Sequence, residues 1–334
     1  MNKVIIGIVA IAIVLGVSLL WQKPENKEVP AVTKEKKLSV VATFYPLEEF
    51  ARQVAGERAT VTSIVPAGAE PHEYEPTPQD ILKAYQANIF LLNGAGMDPW
   101  AEKIRSELEK RGVTVIQMAD AVALLPHAHE EEEEHEDEAN HEEGEGEEGE
   151  EHEESEFDPH FWVDPVLAEV EVKAISEALM ERDKEGREVY ARKRDAYIKE
   201  LQGLNTAYKK GLGACRLKTV VTSHQAFAYM AKRYGFETIS VSGISPEAEP
   251  SPRHLAEISN TVKKEGIKHI FFETLVSPKV AETLARETGA ETLVFNPIEG
   301  LTDEERAEGE NYLSLMRKNL ENLKIALQCP VGQL

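Results

Sequence analysis

The sequence predicts an α/β protein of two similar lobes, each a mainly parallel sheet flanked by helices, with a long rigid helix between them. Short runs of β-branched and aromatic residues alternate with helical stretches from Leu38 to Met118, and the same alternation returns after Cys215. Hydrophobic residues make up 42% of the 334-residue chain, which is enough for a sizeable core. The length favours two domains.

Local patterns assign the elements of the first half. The predicted strands are Leu38 to Phe44, Val61 to Val65, Ile89 to Leu92 and Thr114 to Met118. The predicted helices are Pro46 to Ala55, Pro78 to Ala87, Pro99 to Arg111 and Pro165 to Met180. Strands that alternate with helices at this spacing pair in parallel, because each helix returns the chain to the same end of the sheet.

The second half repeats this organisation after a long helix. Its predicted strands are Lys218 to Ser223, Glu237 to Val241, Lys268 to Phe272 and Glu291 to Phe295. A hydroxyl residue followed by proline predicts helix N-caps at Thr77, Ser251 and Ser277. Apolar residues recur at helical spacing from Arg187 to Leu212, so a stiff helix of roughly 38 Å joins the lobes. Such a connector predicts small movements between the lobes rather than a wide hinge closure.

The N-terminus has the pattern of an export signal. Lys3 precedes 18 uncharged residues, Val4 to Trp21, and a polar stretch rich in Lys, Glu and Pro follows. We expect residues 1–21 to be a signal sequence or an uncleaved membrane anchor, and residues 22–37 to be a tether. No cysteine lies there, so a lipid-modified N-terminal cysteine is not expected. The predicted domains are then an N-terminal lobe at 38–182, a linking helix at 183–213 and a C-terminal lobe at 214–334.

Most of the net charge of −23 comes from one segment. Residues 127–156 contain 18 acidic and no basic residues, so the rest of the chain has 42 acidic against 37 basic residues, or −5. Almost nothing apolar in this segment could support a fold, which predicts a disordered loop. Five of the ten histidines lie in it: His127, His129, His135, His141 and His152. The acidic balance argues against nucleic acid as a partner.

Three histidines and one glutamate lie in segments that are rich in proline and glycine. His72 follows the strand at 61–65, His224 and Glu299 follow strands of the second half, and His160 precedes a predicted helix. Open α/β sheets bind ligands at the carboxyl ends of their strands. Each of these residues alone could have a purely structural role. Together, three imidazoles and a carboxylate are a natural tetrahedral set for a borderline-soft divalent cation.

The four segments resemble the metal receptors of ABC importers, the ZnuA/TroA-like group of zinc and manganese solute-binding proteins. They read Pro-Ala-Gly-Ala-Glu-Pro-His72-Glu-Tyr-Glu-Pro, Asp-Pro-His160-Phe-Trp-Val-Asp-Pro, Ser-His224-Gln-Ala-Phe-Ala-Tyr and Asn-Pro-Ile-Glu299-Gly-Leu. The resemblance extends from Leu38 to Leu327. It implies one cation in the cleft between the lobes, with these four residues as ligands and a membrane permease as partner.

The fourth ligand and the metal follow from details of the resemblance. Many relatives place an aspartate where this chain has Asn296, but in relatives with an Asn-Pro-Leu-Glu pattern the glutamate binds the metal, which favours Glu299. Asn296 or water remains an alternative. Manganese receptors of the family carry a carboxylate in place of His224, so three imidazoles imply Zn²⁺. The His-rich acidic loop resembles an insertion of zinc receptors, either a low-affinity zinc collector or a solvated spacer.

The expected function is therefore an extracytoplasmic zinc receptor that acts as a monomer, delivers Zn²⁺ to an ABC importer and has no enzymatic activity. A manganese-type receptor, a surface zinc buffer without a transporter and a zinc hydrolase are the alternatives. A hydrolase would need an open coordination position and a general base, and no motif such as His-Glu-x-x-His lies beside the ligands.

Several other residues have structural interpretations. Cys215 and Cys329 either pair in an oxidising compartment or are two unrelated buried thiols. Asp164 caps the helix that begins at Pro165, or else supports a ligand imidazole. The remaining expectations concern packing: Phe161 and Trp162 keep the site dry, while His254 and His269 have structural roles.

Overall fold

The computed structural model describes residues 37–127 and 156–330. The predicted signal sequence or anchor and nearly all of the tether, at residues 1–36, lie outside the described residues. The loop histidines His129, His135, His141 and His152 also lie outside them. Within the two described ranges, no helix is both long enough and apolar enough to cross a membrane.

Two four-stranded sheets form the framework, and every strand pair in them is parallel. The first sheet has the order β2-β1-β3-β4 and contains β1 (Leu38–Ala42), β2 (Ala59–Ser63), β3 (Ile89–Leu92) and β4 (Thr114–Gln117). The second has the order β6-β5-β7-β8 and contains β5 (Thr219–Thr222), β6 (Glu237–Ser240), β7 (His269–Phe272) and β8 (Glu291–Val294). The shared topology confirms the predicted pair of similar parallel sheets.

Helices connect and flank the strands. The first half contains α1 (Tyr45–Ala55), α2 (Pro78–Gln86), α3 (Pro99–Lys110), α4 (Pro165–Arg182) and the linking α5 (Arg187–Leu212). The second half contains α6 (Ala228–Tyr234), α7 (Pro252–Glu265), α8 (Lys279–Thr288), α9 (Asp303–Glu308) and α10 (Tyr312–Ala326). The sequence patterns did not predict α6, α9 and α10.

Side-chain caps explain where several helices begin. Thr77 and Asp80 form a reciprocal capping box at α2, and Ser251 accepts a hydrogen bond from the His254 amide at α7. Both predicted N-caps are confirmed. The predicted cap at Ser277 is wrong. The α8 helix begins at Lys279 with Pro278 at the N-cap position, because the Pro278 carbonyl already accepts the first helical bond, from the Glu282 amide.

Most strands are one or two residues shorter than predicted, and β2 is shifted along the chain. The strand expected at Val61 to Val65 is β2, Ala59–Ser63, which pairs Leu38 with Ala59 and Ala42 with Ser63. The Val65 amide still donates to the Thr43 carbonyl at 2.9 Å. Extended pairing therefore continues to the end of the predicted range, although the regular ladder starts two residues earlier.

The linking helix α5 has the predicted bounds and packs along both halves. Its 26 residues correspond to about 39 Å at 1.5 Å per residue. One face is buried against α1, α4 and α10, through Tyr190, Tyr197, Leu201, Leu204, Tyr208 and Leu212. A single apolar cluster contains buried residues of both halves, such as Val40 and Phe295. The domain boundaries placed at 182 and 213 stay a prediction.

A disulfide between Cys215 and Cys329 joins the segment after α5 to the segment after α10. Of the two alternatives left open by the sequence, a disulfide or two unrelated thiols, the structure contains the disulfide. Beside it, the Leu217 amide donates to the Leu327 carbonyl at 3.0 Å. The bond spans 114 positions of sequence, so it connects the two ends of the second half.

We expect the double variant Cys215→Ala, Cys329→Ala to lose about 2–5 kcal/mol of unfolding free energy, because the bond restricts a long loop in the unfolded chain. Denaturant unfolding followed by tryptophan fluorescence measures the loss. Reductant should lower the stability of the wild-type protein by the same amount and leave the double variant unchanged. An unfolding midpoint equal to that of the oxidised wild type would contradict the prediction.

Candidate metal centre

Four side chains from separate segments converge at one point. The Nε2 atom of His160 lies 3.1 Å from Nε2 of His72 and 3.3 Å from Nε2 of His224. The Oε1 atom of Glu299 lies 3.5, 3.4 and 3.3 Å from the Nε2 atoms of His72, His160 and His224. The structure thus brings together all four residues that the sequence singled out as cation ligands.

These separations fit a tetrahedral ion. A metal about 2.0–2.1 Å from four donors at the corners of a regular tetrahedron holds the donors about 3.3–3.4 Å apart. The five separations given above, 3.1–3.5 Å, bracket that value. Five of the six donor separations therefore suit a zinc-sized cation, and all four donors lie within 4.8 Å of one another.

The centre is buried, and its carboxylate lacks a conventional partner. The side chains of His160 and His224 are 0% exposed, that of Glu299 is 1% exposed and that of His72 is 6% exposed. Within the described part of the chain, the buried Oε1 of Glu299 makes no well-aligned hydrogen bond. Burying a carboxylate oxygen without such a bond costs free energy unless a cation balances its negative charge. The donor set therefore fits a bound metal.

His72 is presented by the loop that follows β2. Gly68 has a φ of +78°, which suits glycine, and its amide donates to the Leu301 carbonyl of the other half. The Glu70 carboxylate accepts hydrogen bonds from the amides of His72 and Glu73 at 3.0 and 3.1 Å. Burial and the nearby Glu299 charge raise the pKa of Glu70 to about 7. The Glu70 side chain therefore fixes the turn that carries His72.

His160 lies in the buried segment from Asp158 to Asp164. The Oδ1 atom of Asp158 lies 2.8 Å from His160 Nδ1 and also accepts the His160 amide at 2.9 Å. A carboxylate on Nδ1 fixes the ring so that Nε2 is free for a metal. Trp162 packs 5.2 Å from the His160 ring and is fully buried, as expected of a residue that excludes water.

His224 lies two residues beyond β5 and has a similar carboxylate behind it. The Nδ1 atom of His224 is 2.7 Å from Oε1 of Glu273, the residue that follows β7. The Thr222 hydroxyl donates to the His224 carbonyl at 3.0 Å and holds its backbone. Both fully buried imidazoles are therefore oriented by an acidic neighbour.

Glu299 is held by a strained loop after β8. Ile298 has a φ of +62°, an unusual conformation for a β-branched residue that costs roughly 1–3 kcal/mol. The Asn296 side chain stabilises it by accepting the Ile298 amide at 2.7 Å, and Trp162 Nε1 donates to the Pro297 carbonyl at 2.8 Å. Asn296 therefore supports the loop, and the carboxylate that reaches the centre is that of Glu299.

The charges of the group depend on one another. Burial disfavours charge on His160, but the hydrogen bond with Asp158 and the adjacent Glu299 carboxylate raise the pKa of His160 above the usual value. Burial likewise opposes charge on His224, yet the charges of Glu273 and Glu299 raise its pKa well above the usual value. Burial lowers the pKa of His72. Burial would raise the pKa of Glu299, but the His224 charge and the three imidazoles hold it well below its ordinary range.

The supporting carboxylates were not identified from the sequence. Asp158 belongs to the His160 motif, and Glu273 lies outside all four motifs. The sequence signal for Glu273 is its position directly after a predicted strand, because His224 and Glu299 also follow strands of the same sheet. Asp164 caps α4 through the Val166 amide and pairs with Arg233, so the predicted cap is confirmed and the contact with a ligand ring comes from Asp158 instead.

Among the residues that the structure describes, three further histidines lie outside the cluster. The His127 amide donates to the Glu156 carbonyl at 2.8 Å, at the base of the acidic segment. His254 Nε2 lies 2.8 Å from the Ser240 carbonyl oxygen, and His269 Nε2 lies 3.9 Å from a Glu291 carboxylate oxygen. These contacts agree with the structural roles predicted for His254 and His269.

The chain is similar to several zinc-binding proteins. It is 42% identical over 288 residues to the zinc-binding lipoprotein AdcA of Streptococcus pneumoniae, covering 86% of this chain but 55% of that protein, a little over half its length. It is 37% identical over 297 residues to the high-affinity zinc uptake system protein ZnuA of Bacillus subtilis, covering 89% and 90% of the two chains.

Solved structures agree with the sequence comparison. The crystal structure of the Zn(II)-bound ZnuA-like domain of Streptococcus pneumoniae AdcA superposes with a TM-score of 0.72 at 39% identity, covering 87% of this chain and 99% of that one. The family model of the zinc-uptake complex component A, periplasmic, matches residues 40–326. With this match across both sheets and all four converging side chains, the chain belongs to the ZnuA family.

Proposed function

We propose that this protein is an extracytoplasmic receptor that binds one Zn²⁺ through His72, His160, His224 and Glu299 and delivers it to the permease of an ABC importer. The observation that carries the proposal is the buried convergence of three imidazole nitrogens and one carboxylate oxygen, all within 4.8 Å of one another. The family match and the zinc-binding relatives support the same cargo.

The donor set favours zinc over manganese. Mn²⁺ prefers harder sites that are richer in oxygen, whereas three imidazoles and one carboxylate suit Zn²⁺. Four protein donors also complete a tetrahedral shell, which resembles a closed binding site more than a catalytic centre with an open position for water. We therefore propose a receptor without enzymatic activity.

Location, anchoring and assembly form part of the same proposal. The uncharged run from Val4 to Trp21 would direct export and act as a signal or anchor. The receptor would act as a monomer, with the acidic segment at 127–156 collecting Zn²⁺ at low affinity near the cleft. A surface buffer without a transporter predicts the same zinc affinity, but it would not stimulate the ATPase of a reconstituted importer, which a loaded receptor should do.

Removing one fully buried ligand should abolish tight zinc binding. We expect His160→Ala and His224→Ala each to weaken zinc affinity by at least ~100-fold, since loss of a supporting partner alone costs 10–100-fold. Competition with a chromophoric chelator measures the affinity. His254→Ala is the matched control, because this imidazole contacts the Ser240 carbonyl outside the cluster. Retention of one tight zinc site in both ligand variants would refute the assignment.

Zinc binding should release protons and weaken as pH falls. The raised pKa values of His160 and His224 mean that these rings keep their protons up to a higher pH than an ordinary histidine does in the metal-free protein, and zinc must displace those protons. Affinity is therefore lower on the acidic side of those pKa values and rises as pH increases through them. Calorimetry in buffers of different ionisation enthalpy counts the protons. Glu273→Gln should reduce that count, and zero release at pH 6 would contradict the expectation.

The tight site should not need the acidic segment. The His127 amide donates to the Glu156 carbonyl, and Pro126 and Phe157 form an antiparallel bridge, so a two-residue turn such as Asn-Gly could replace residues 128–155. We expect the shortened protein to keep one tight Zn²⁺ and to lose only weak additional binding in equilibrium dialysis. A shortened protein that folds but lacks the tight site would count against the collector model.

A further inference from the structure

We propose that Tyr229, supported by Arg233, is a positioning residue for zinc binding. From the helix that follows His224, it fixes the backbone that carries His160. This inference rests on the proposed zinc site and adds residues that are not among the four ligands. Its consequence is that two metal ligands from different halves of the chain are held as one unit.

The Tyr229 hydroxyl forms a bridge between two backbone segments. It donates to the Asp158 carbonyl at 2.8 Å and accepts from the Leu125 amide at 2.9 Å. The Asp158 amide donates directly to the Leu125 carbonyl at 3.0 Å, so the two residues are joined twice. Tyr229 is 4% exposed, which gives these bonds little competition from water.

Asp158 transmits this restraint to the ligand. Its carboxylate holds both His160 Nδ1, at 2.8 Å, and the His160 amide, at 2.9 Å. Displacement of the Asp158 peptide would therefore rotate or shift the imidazole whose Nε2 faces the other three donors. Groups that orient a metal-bound imidazole typically contribute 10–100-fold to affinity.

Arg233 restrains the other end of the same segment from the same helix. Its guanidinium pairs with the buried carboxylate of Asp164, which also accepts the Val166 amide at the start of α4. Tyr229 and Arg233 are four positions apart on α6 and so lie on one face of it. That face holds both ends of the segment in which His160 is central.

The helix α6 also follows His224 closely in sequence, beginning at Ala228. The spacing of 3.3 Å between the Nε2 atoms of His160 and His224 is therefore set over a short path. That path runs from His224 along α6 to Tyr229, across one hydroxyl to Asp158, and then to His160. The helix α6 therefore supports two of the four ligands, His160 and His224, which come from different halves of the chain.

The test compares Tyr229→Phe with Tyr234→Phe. Both remove one hydroxyl from α6, but Tyr234 donates to the Asn205 side chain at 3.3 Å, on the linking helix. We expect Tyr229→Phe to weaken zinc affinity by roughly 10-fold and to change the visible absorption of the Co²⁺-loaded protein, which reports ligand geometry. Tyr234→Phe should leave both unchanged at a comparable melting temperature.

Double-mutant cycles locate the effect. If Tyr229 acts through His160, its effect on affinity should be non-additive with Asp158→Asn and additive with Glu273→Gln, which alters the partner of His224. Wild-type zinc affinity and an unchanged cobalt spectrum in Tyr229→Phe would overturn the inference. Equal non-additivity of Tyr229→Phe with the Asp158 and Glu273 variants would also overturn it. So would a loss of zinc affinity in Tyr234→Phe as large as that in Tyr229→Phe. Failure of the wild-type protein to bind zinc would instead refute the proposed function.

Discussion

The metal centre depends on keeping four electron-rich atoms within 4.8 Å of one another inside protein from which water is excluded. Such an arrangement is unfavourable without a positive charge at its middle. On the acidic side of the raised pKa values of His160 and His224, protons on these two rings supply that charge in the metal-free protein. A divalent cation supplies it more effectively because it contacts all four donors at once. The rest of the structure resists the tendency of these groups to separate.

That resistance comes from several parts of the fold. Asp158 and Glu273 hold the two fully buried rings, and Asn296 stabilises the left-handed backbone before Glu299. Within the His160 segment, the Pro159 carbonyl accepts from the Asn93 side chain at 3.0 Å, and the Trp162 carbonyl accepts from the Tyr312 hydroxyl at 2.6 Å. Support therefore comes from both sheets and from α10. A centre restrained on so many sides is preorganised, so little of the binding free energy is needed to order it.

Much of this organisation could be predicted from local sequence. Residue patterns within short stretches of sequence predict the alternation of strands and helices and the bounds of α5. They also predict the position of each ligand beside proline or beyond a strand. The contacts with Glu273 and Tyr229 could not, because they join residues 49 and 71 positions apart and depend on which strands and helices become neighbours. Local sequence did not predict the helix α10 for a related reason. Its buried face includes the polar Asn319, whose side chain forms hydrogen bonds with the Asn296 backbone. A polar residue at this position interrupts the apolar periodicity of the helix.

The disulfide has a chemical consequence beyond stability. The sequence contains two cysteines, and both are consumed in the bond between Cys215 and Cys329. The oxidised protein therefore offers no thiolate to soft cations such as Cu(I), which prefer sulfur donors. Thiolate ligands are thereby excluded from the competition among metals, and no free thiol is available for mixed disulfides or oxidation. A covalent link that braces the second half thus also narrows the range of ions that the chain can attract.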